Sequence, residues 1–185
     1  RWRDERFASW LVAGLIGGHA QAIMLGVVGF LIRDRLGLHD LPKETVEATG
    51  SVMFVGAMAT LLAQWGLIPI LQIGSRASVL WGAFLALLGI TLVGVSFDFY
   101  GITLGFALAS LGFGLFRPGF TTGASLAVRR FEQGDVAGKI ASLSGSAYIF
   151  TPAIGVALFN WWEPATFILI GIALLYLIVW GRKAL

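Results

Sequence analysis

Six apolar stretches, each long enough to cross a bilayer as an α-helix, fill almost the whole of this 185-residue chain. A hydrocarbon core needs roughly 20 apolar residues at about 1.5 Å rise each. By that measure spans are expected at residues 10–32, 50–73, 79–97, 100–128, 137–159 and 162–180. Mean hydropathy is +0.85 and charged residues make up 12%, about half their share in a soluble domain. A soluble helical bundle needs polar outer faces, and the third and sixth stretches have none. The expected fold is an all-α membrane protein, with residues 1–185 as one bundle of six transmembrane helices.

Cysteine is absent, which removes disulfides, thiolate nucleophiles and cysteine metal sites. No metal site and no cofactor are expected. The net charge of +3 and pI near 9.7 do not point to nucleic acid, because the basic residues sit in loops and form no basic face laced with aromatics. No secretory leader pattern opens the chain, and the first residue is Arg1 rather than Met. The chain reads as a piece of something longer.

Loop charge sets the expected orientation. One side collects nine basic residues, among them Arg1, Arg3, Arg6, Arg76, Arg129, Arg130 and Lys139, while the other has Arg33, Arg35 and Lys43. With Arg117 left inside a span, this bias places both termini in the cytoplasm. Trp10 and Trp180 then fall at the inner interface, and Tyr100, Trp161 and Trp162 at the outer one. Trp65 is expected to pack between helices.

The chain also divides in the middle. Spans one and four are rich in glycine and punctuated by polar residues, two and five carry small residues and a proline, and three and six are nearly pure apolar. Two such triplets must run in opposite membrane directions, which is an inverted repeat.

Three segments carry a family resemblance. Residues 73–80, Ile-Gly-Ser-Arg-Ala-Ser-Val-Leu, look like a degenerate second copy of a cytoplasmic Gly/Asp/Arg loop motif, with Gly74 and Arg76 but without the Asp and the second Arg. Gly138-Lys139-Ile140 through Thr151-Pro152-Ala153-Ile154-Gly155 looks like a Gly-Pro antiporter-type helix, with Thr151 where Gly usually precedes Pro. Residues 112–120, Gly-Phe-Gly-Leu-Phe-Arg-Pro-Gly-Phe, fit a tenth helix. Together with the order of spans, they resemble the C-terminal six-helix half of a major facilitator superfamily transporter, most of all its tetracycline and multidrug efflux branch. The resemblance implies a 3+3 inverted repeat in which the first and fourth helices line a central cavity. It further implies that the second and fifth meet an N-terminal six-helix half of the same twelve-helix protein, and that the third and sixth support from the lipid side. Pro118, Gly119, Pro152 and Gly155 are the expected kink and gating positions, and Gly74 and Arg76 the cytoplasmic loop motif.

Arg117 lies roughly 4 to 5 Å from the middle of its span. On a lipid-facing surface a charge there costs about 2.5 kcal/mol or more, so it should face protein or water. Ser110, Gly114, Arg117, Thr121 and Ser125 fall along one helical stripe that looks like a cavity wall. The alternative is an arginine that snorkels to the headgroups past a Pro118 kink. In span one, His19 and Gln21 sit about 160 degrees apart and cannot both face one cavity. Gln21 shares its side with Gly14, Gly17 and Gly18, a small-residue face that suits a cavity wall and a packing seam equally. His19 is either a proton carrier or a structural histidine. Ser144, Tyr148, Thr151 and Gly155 form a stripe best explained by hydrogen bonds between helices. All ten Asp and Glu lie in loops or termini, so if transport is proton-coupled the carboxylate that carries the proton is expected in the missing half.

Enzyme readings fail on spacing. Residues 134–140 have one residue too few between glycines for a phosphate loop, and Ile140 stands where Ser or Thr would hold magnesium. A serine protease at Ser144 lacks a histidine after the serine. The expected activity is alternating-access transport of a small organic solute, as proton- or ion-coupled efflux across a bacterial inner or plasma membrane. Alternatives are an uptake carrier of the same fold, or a channel or structural subunit.

Overall fold

A computed structural model describes residues 5–185. Arg1 and Arg3, counted in the basic bias above, lie outside the described residues. The chain folds into α1 (Glu5–Arg35), α2 (Pro42–Leu71), α3 (Ser75–Val95), α4 (Phe99–Leu126), α5 (Gln133–Trp161) and α6 (Glu163–Ala184). A single 3-10 turn, Arg130–Glu132, precedes α5. All six helices are long and apolar enough to cross a membrane, and no strand occurs among the described residues.

Helix ends follow local chemistry rather than hydropathy. Pro42 occupies the first turn of α2, where its missing N–H is no loss, and Glu44 complements the helix dipole there. The helix therefore begins eight residues before the apolar stretch at residue 50. Asp98 caps α4 by accepting from the Gly101 N–H at 2.9 Å. Near its far end α2 widens into a π-helical turn, Leu62–Leu67, in which the Ile68 N–H reaches back to the Ala63 carbonyl. Pro69 follows directly, and a wider turn relieves the clash a proline ring makes with the carbonyl four residues earlier. This turn points Trp65 outward, 80% exposed, which corrects the expectation that it packs between helices.

Helices in lipid gain little from apolar burial against one another, so close packing must hold them. The most extensive seam joins α3 and α4. Glycines recur at seven-residue intervals on both, Gly82 and Gly89 on α3 and Gly105, Gly112 and Gly119 on α4. A β-carbon on Gly89 would lie 2.2 Å from the Ala109 nitrogen, and one on Gly112 would lie 2.4 Å from the Ala86 nitrogen. The two backbones touch directly. Next in extent are α1 against α5, where Gly26 meets Pro152 and Gly155 meets Ile23, and α2 against α4, where Gly114 meets Thr60 and Ala63. Helices α1 and α4 cross at the centre, with Gly14 and Gly17 receiving the rings of Phe120 and Phe116.

Burial follows this order. Half or more of the apolar window is buried in α1 and α4, but only 11% in α2 and 22% in α5. The two outer helices carry large bare apolar side chains, among them Phe54, Met58, Leu62, Ile149 and Phe150.

Three side-chain latches tie the ends. At one end Arg35, its side chain 5% exposed, bridges Glu163 of α6 and donates to the carbonyls of Val93 at 2.5 Å, Gly94 at 2.9 Å and Ser96. Its guanidinium also lies over the rings of Phe97 and Phe167. At the other end Arg6 grips Glu132 with two bonds of 3.0 and 2.8 Å. Those bonds, with the Arg129 N–H, hold the Glu132 carboxyl down to about 2. There too Arg76 donates to the Arg182 carbonyl. Lys139 is no loop residue: it sits buried in α5, paired with Asp135 and over the Phe7 ring.

Arg35 satisfies α3's last carbonyls and the Glu163 charge at once, so Arg35→Ala should destabilise the bundle by about 2–4 kcal/mol. Arg35→Lys, which keeps the charge but not the fork, should recover only part of that. Unfolding in mixed detergent and dodecyl sulfate reads the difference, and an unchanged midpoint for Arg35→Ala would remove the latch from this account.

Candidate binding groove

The stripe on α4 is split by its neighbours. Ser110 is buried beneath α2, and its carbonyl accepts from the Thr60 hydroxyl at 3.2 Å. Gly114 lies against the same helix. Farther along, α2 no longer covers the stripe, and Arg117, Thr121 and Ser125 open into a groove of about 670 Å³ between α4 and α5. Gln133 and Ser144 complete its polar wall, and Val136 and Ile140 its apolar one. Helix α4 runs unbroken through Pro118, and the Thr121 hydroxyl donates to the carbonyls of Arg117 and Pro118, both at 3.1 Å. Gly119 faces α3 at Ser75 and Ser78, so it belongs to the glycine seam rather than to the groove.

A narrow crevice lies between α1, α4 and α5, and Arg117 and Ser144 line it as well. Gln21, Tyr148, Phe116 and Phe120 form the rest of its polar and aromatic wall, beside Gly14 and Gly18. Its free space of about 10 Å³ suits roughly one water. The structure thus brings Arg117 and Gln21 to one place. Among the described residues the side chains of Arg117, Gln21, Ser144 and Tyr148 make no hydrogen bond or ion pair with protein. Hydrogen bonds between helices, expected for the stripe on α5, do not form at Ser144, Tyr148 or Thr151. Ser144 and Tyr148 open on the crevice instead, while Thr151 and Gly155 turn to α1.

His19 faces the other way, into an apolar groove between α1, α5 and α6 that Thr151 also lines. Its Nδ1 donates to the Leu15 carbonyl at 2.7 Å, one turn back on its own helix. Pro152 packs on Gly26 in the seam between α1 and α5. Gly74 precedes α3 and its carbonyl accepts from the Ser78 N–H, while Arg76 closes onto the end of α6.

Sequence reasoning missed Ser144 and Tyr148 as neighbours of Arg117 in the crevice, because no spacing within α5 announces which helix its stripe faces. It also treated Arg35 as a topology charge alone. The signal available was the apposition of Arg35 and Glu163, at the end of one span and the start of another. Compared with protein-family models and with curated proteins, the chain matches none.

Proposed function

We propose that this chain is the C-terminal six-helix half of a major facilitator type transporter, moving a small organic solute by alternating access in exchange for protons or another ion. The observation that carries the proposal is Arg117: an unpaired guanidinium inside an apolar span, at the meeting of a polar groove and a crevice. Intramembrane charges without a structural partner mark substrate or ion paths.

Packing supports the repeat. If the first three helices are exchanged for the last three, the seam of α1 with α5 becomes that of α4 with α2, and the two are alike in extent; the seam of α3 with α4 becomes that of α6 with α1, which is much the thinner of the two. A groove of about 590 Å³ between α1 and α2 opens at the Arg35 end, and the one between α4 and α5 opens at the opposite end. An inverted repeat places equivalent features in this way. The thinly covered α2 and α5 then form the face that an N-terminal half would meet.

The test is counterflow in liposomes holding the native protein, preloaded in turn with toluenesulfonate, benzyltrimethylammonium and glucose. A carrier transiently concentrates labelled external solute when the same solute is trapped inside. Transient accumulation of one of the three is the expected result. Simple equilibration of all three would favour a channel, and no movement at all would overturn transport. Orientation is tested separately in this cysteine-free chain: Arg130→Cys should react with an impermeant maleimide from the cytoplasmic side alone, and Leu38→Cys from outside alone. Outside labelling at position 130 would invert the topology.

A further inference from the structure

We infer that the solute is an organic anion, a carboxylate, sulfonate or phosphate on an apolar body, with its charged group on Arg117. The inference rests on the transport reading above and gives it a substrate class.

Arg6 pairs with Glu132, Arg33 with Asp34, Arg35 with Glu163, Lys43 with Glu47 and Lys139 with Asp135. The acids nearest in sequence to the groove, Glu132 and Asp135, are both held in these pairs. Among the described residues Arg117 is the one charged side chain lining either the groove or the crevice. A cationic solute entering there meets like charge and no carboxylate; an anion meets a planar fork that can grip two oxygens.

Hydrogen-bonding capacity points the same way. Beside Arg117, the Ser144 hydroxyl, which bonds to no protein group among the described residues, lines the groove as well as the crevice. An anionic oxygen can accept from that hydroxyl and from the guanidinium at once, whereas an ammonium finds the hydroxyl's lone pairs beside a like charge. Val136, Ala137, Ile140 and Ala141 line the groove beyond as an apolar wall. One end of the site fits an anionic head and the rest an apolar body.

Photolabelling tests this on the native protein in phosphatidylcholine liposomes, with benzophenone sulfonate as anionic probe and (benzoylbenzyl)trimethylammonium as cationic probe. The sulfonate should label peptides of α4 and α5. A charge-assisted pair contributes about 1.5–3 kcal/mol, so Arg117→Gln should lower that labelling by about ten- to a hundredfold, and Arg117→Lys should restore part of it. Arg117 is exposed and makes no hydrogen bond or ion pair among the described residues, so both variants should keep the parent's unfolding midpoint. Labelling by the cationic probe at the same peptides, or sulfonate labelling indifferent to Arg117→Gln, would overturn the inference. Loss of sulfonate labelling on adding phosphatidylglycerol would give the site to a lipid phosphate and overturn the solute assignment. The two readings fail separately. Arg117-dependent labelling of a protein that shows no counterflow sinks transport and leaves the anion site, whereas counterflow of benzyltrimethylammonium alone sinks the anion and leaves transport.

Discussion

Gly89→Leu should leave no folded protein to purify. The missing β-carbon at residue 89 is the space occupied by the backbone of α4, with the Ala109 nitrogen at 2.2 Å and the Gly105 carbonyl oxygen at 2.6 Å. A side chain there meets main chain, which cannot turn aside as a rotamer can. Overpacking of side chain against side chain typically costs about 1–3 kcal/mol, and a clash with backbone along the largest seam of the bundle exceeds it. Bilayer-embedded helices have no hydrophobic drive with which to recover. Gly89→Ala should already lower the unfolding midpoint, and Gly112→Leu should fail like Gly89→Leu, since its β-carbon would reach Ala86 and the Gly82 carbonyl. Gly138→Leu is the control: nothing stands within 4 Å of a β-carbon there, so the bundle should fold normally. A monodisperse Gly89→Leu protein with the parent's midpoint would mean that the seam is not packed as described.

Much of this architecture could be read from the sequence because bilayer thickness is a strict ruler. Six stretches gave six helices, with ends displaced where Pro42 and Asp98 act as start signals. Helical periodicity likewise put Arg117, Thr121 and Ser125 on one face and set His19 and Gln21 on opposite sides, and the structure keeps both relations. Periodicity within one helix does not say which neighbour covers which half of a face. Ser110 and Arg117 share a stripe, yet α2 covers the first, because Gly56 and Thr60 allow close approach there, and leaves the second open. The π turn before Pro69 and the grip of Arg35 on α3 and α6 depend on three-dimensional crowding and on helix ends meeting in space. The seven-residue glycine spacing on α3 and α4 was visible in the sequence, but its meaning came only with the partner helix.

Arg117→Ala should abolish or strongly reduce transport while leaving the fold unchanged. Among the described residues the guanidinium makes no hydrogen bond or ion pair whose loss would destabilise the bundle, and an exposed side chain leaves no cavity when truncated. What disappears is the fixed positive charge of the groove, whose interaction with a partner charge is far less screened inside the membrane than in water. Loss of such a pairing by about 1.5 kcal/mol or more lowers flux at limiting solute by at least about tenfold. Arg117→Lys keeps the charge as a point without the planar fork and should retain an intermediate rate. The decisive measurement is the initial rate of counterflow for parent, Arg117→Ala and Arg117→Lys, reconstituted at equal density with whichever solute the parent concentrates. Near-background flux is expected for Ala and partial flux for Lys, with equal amounts of folded protein in all three. Parent-like counterflow by Arg117→Ala would contradict it and make Arg117 a side chain that merely reaches for the headgroups, with the solute path elsewhere.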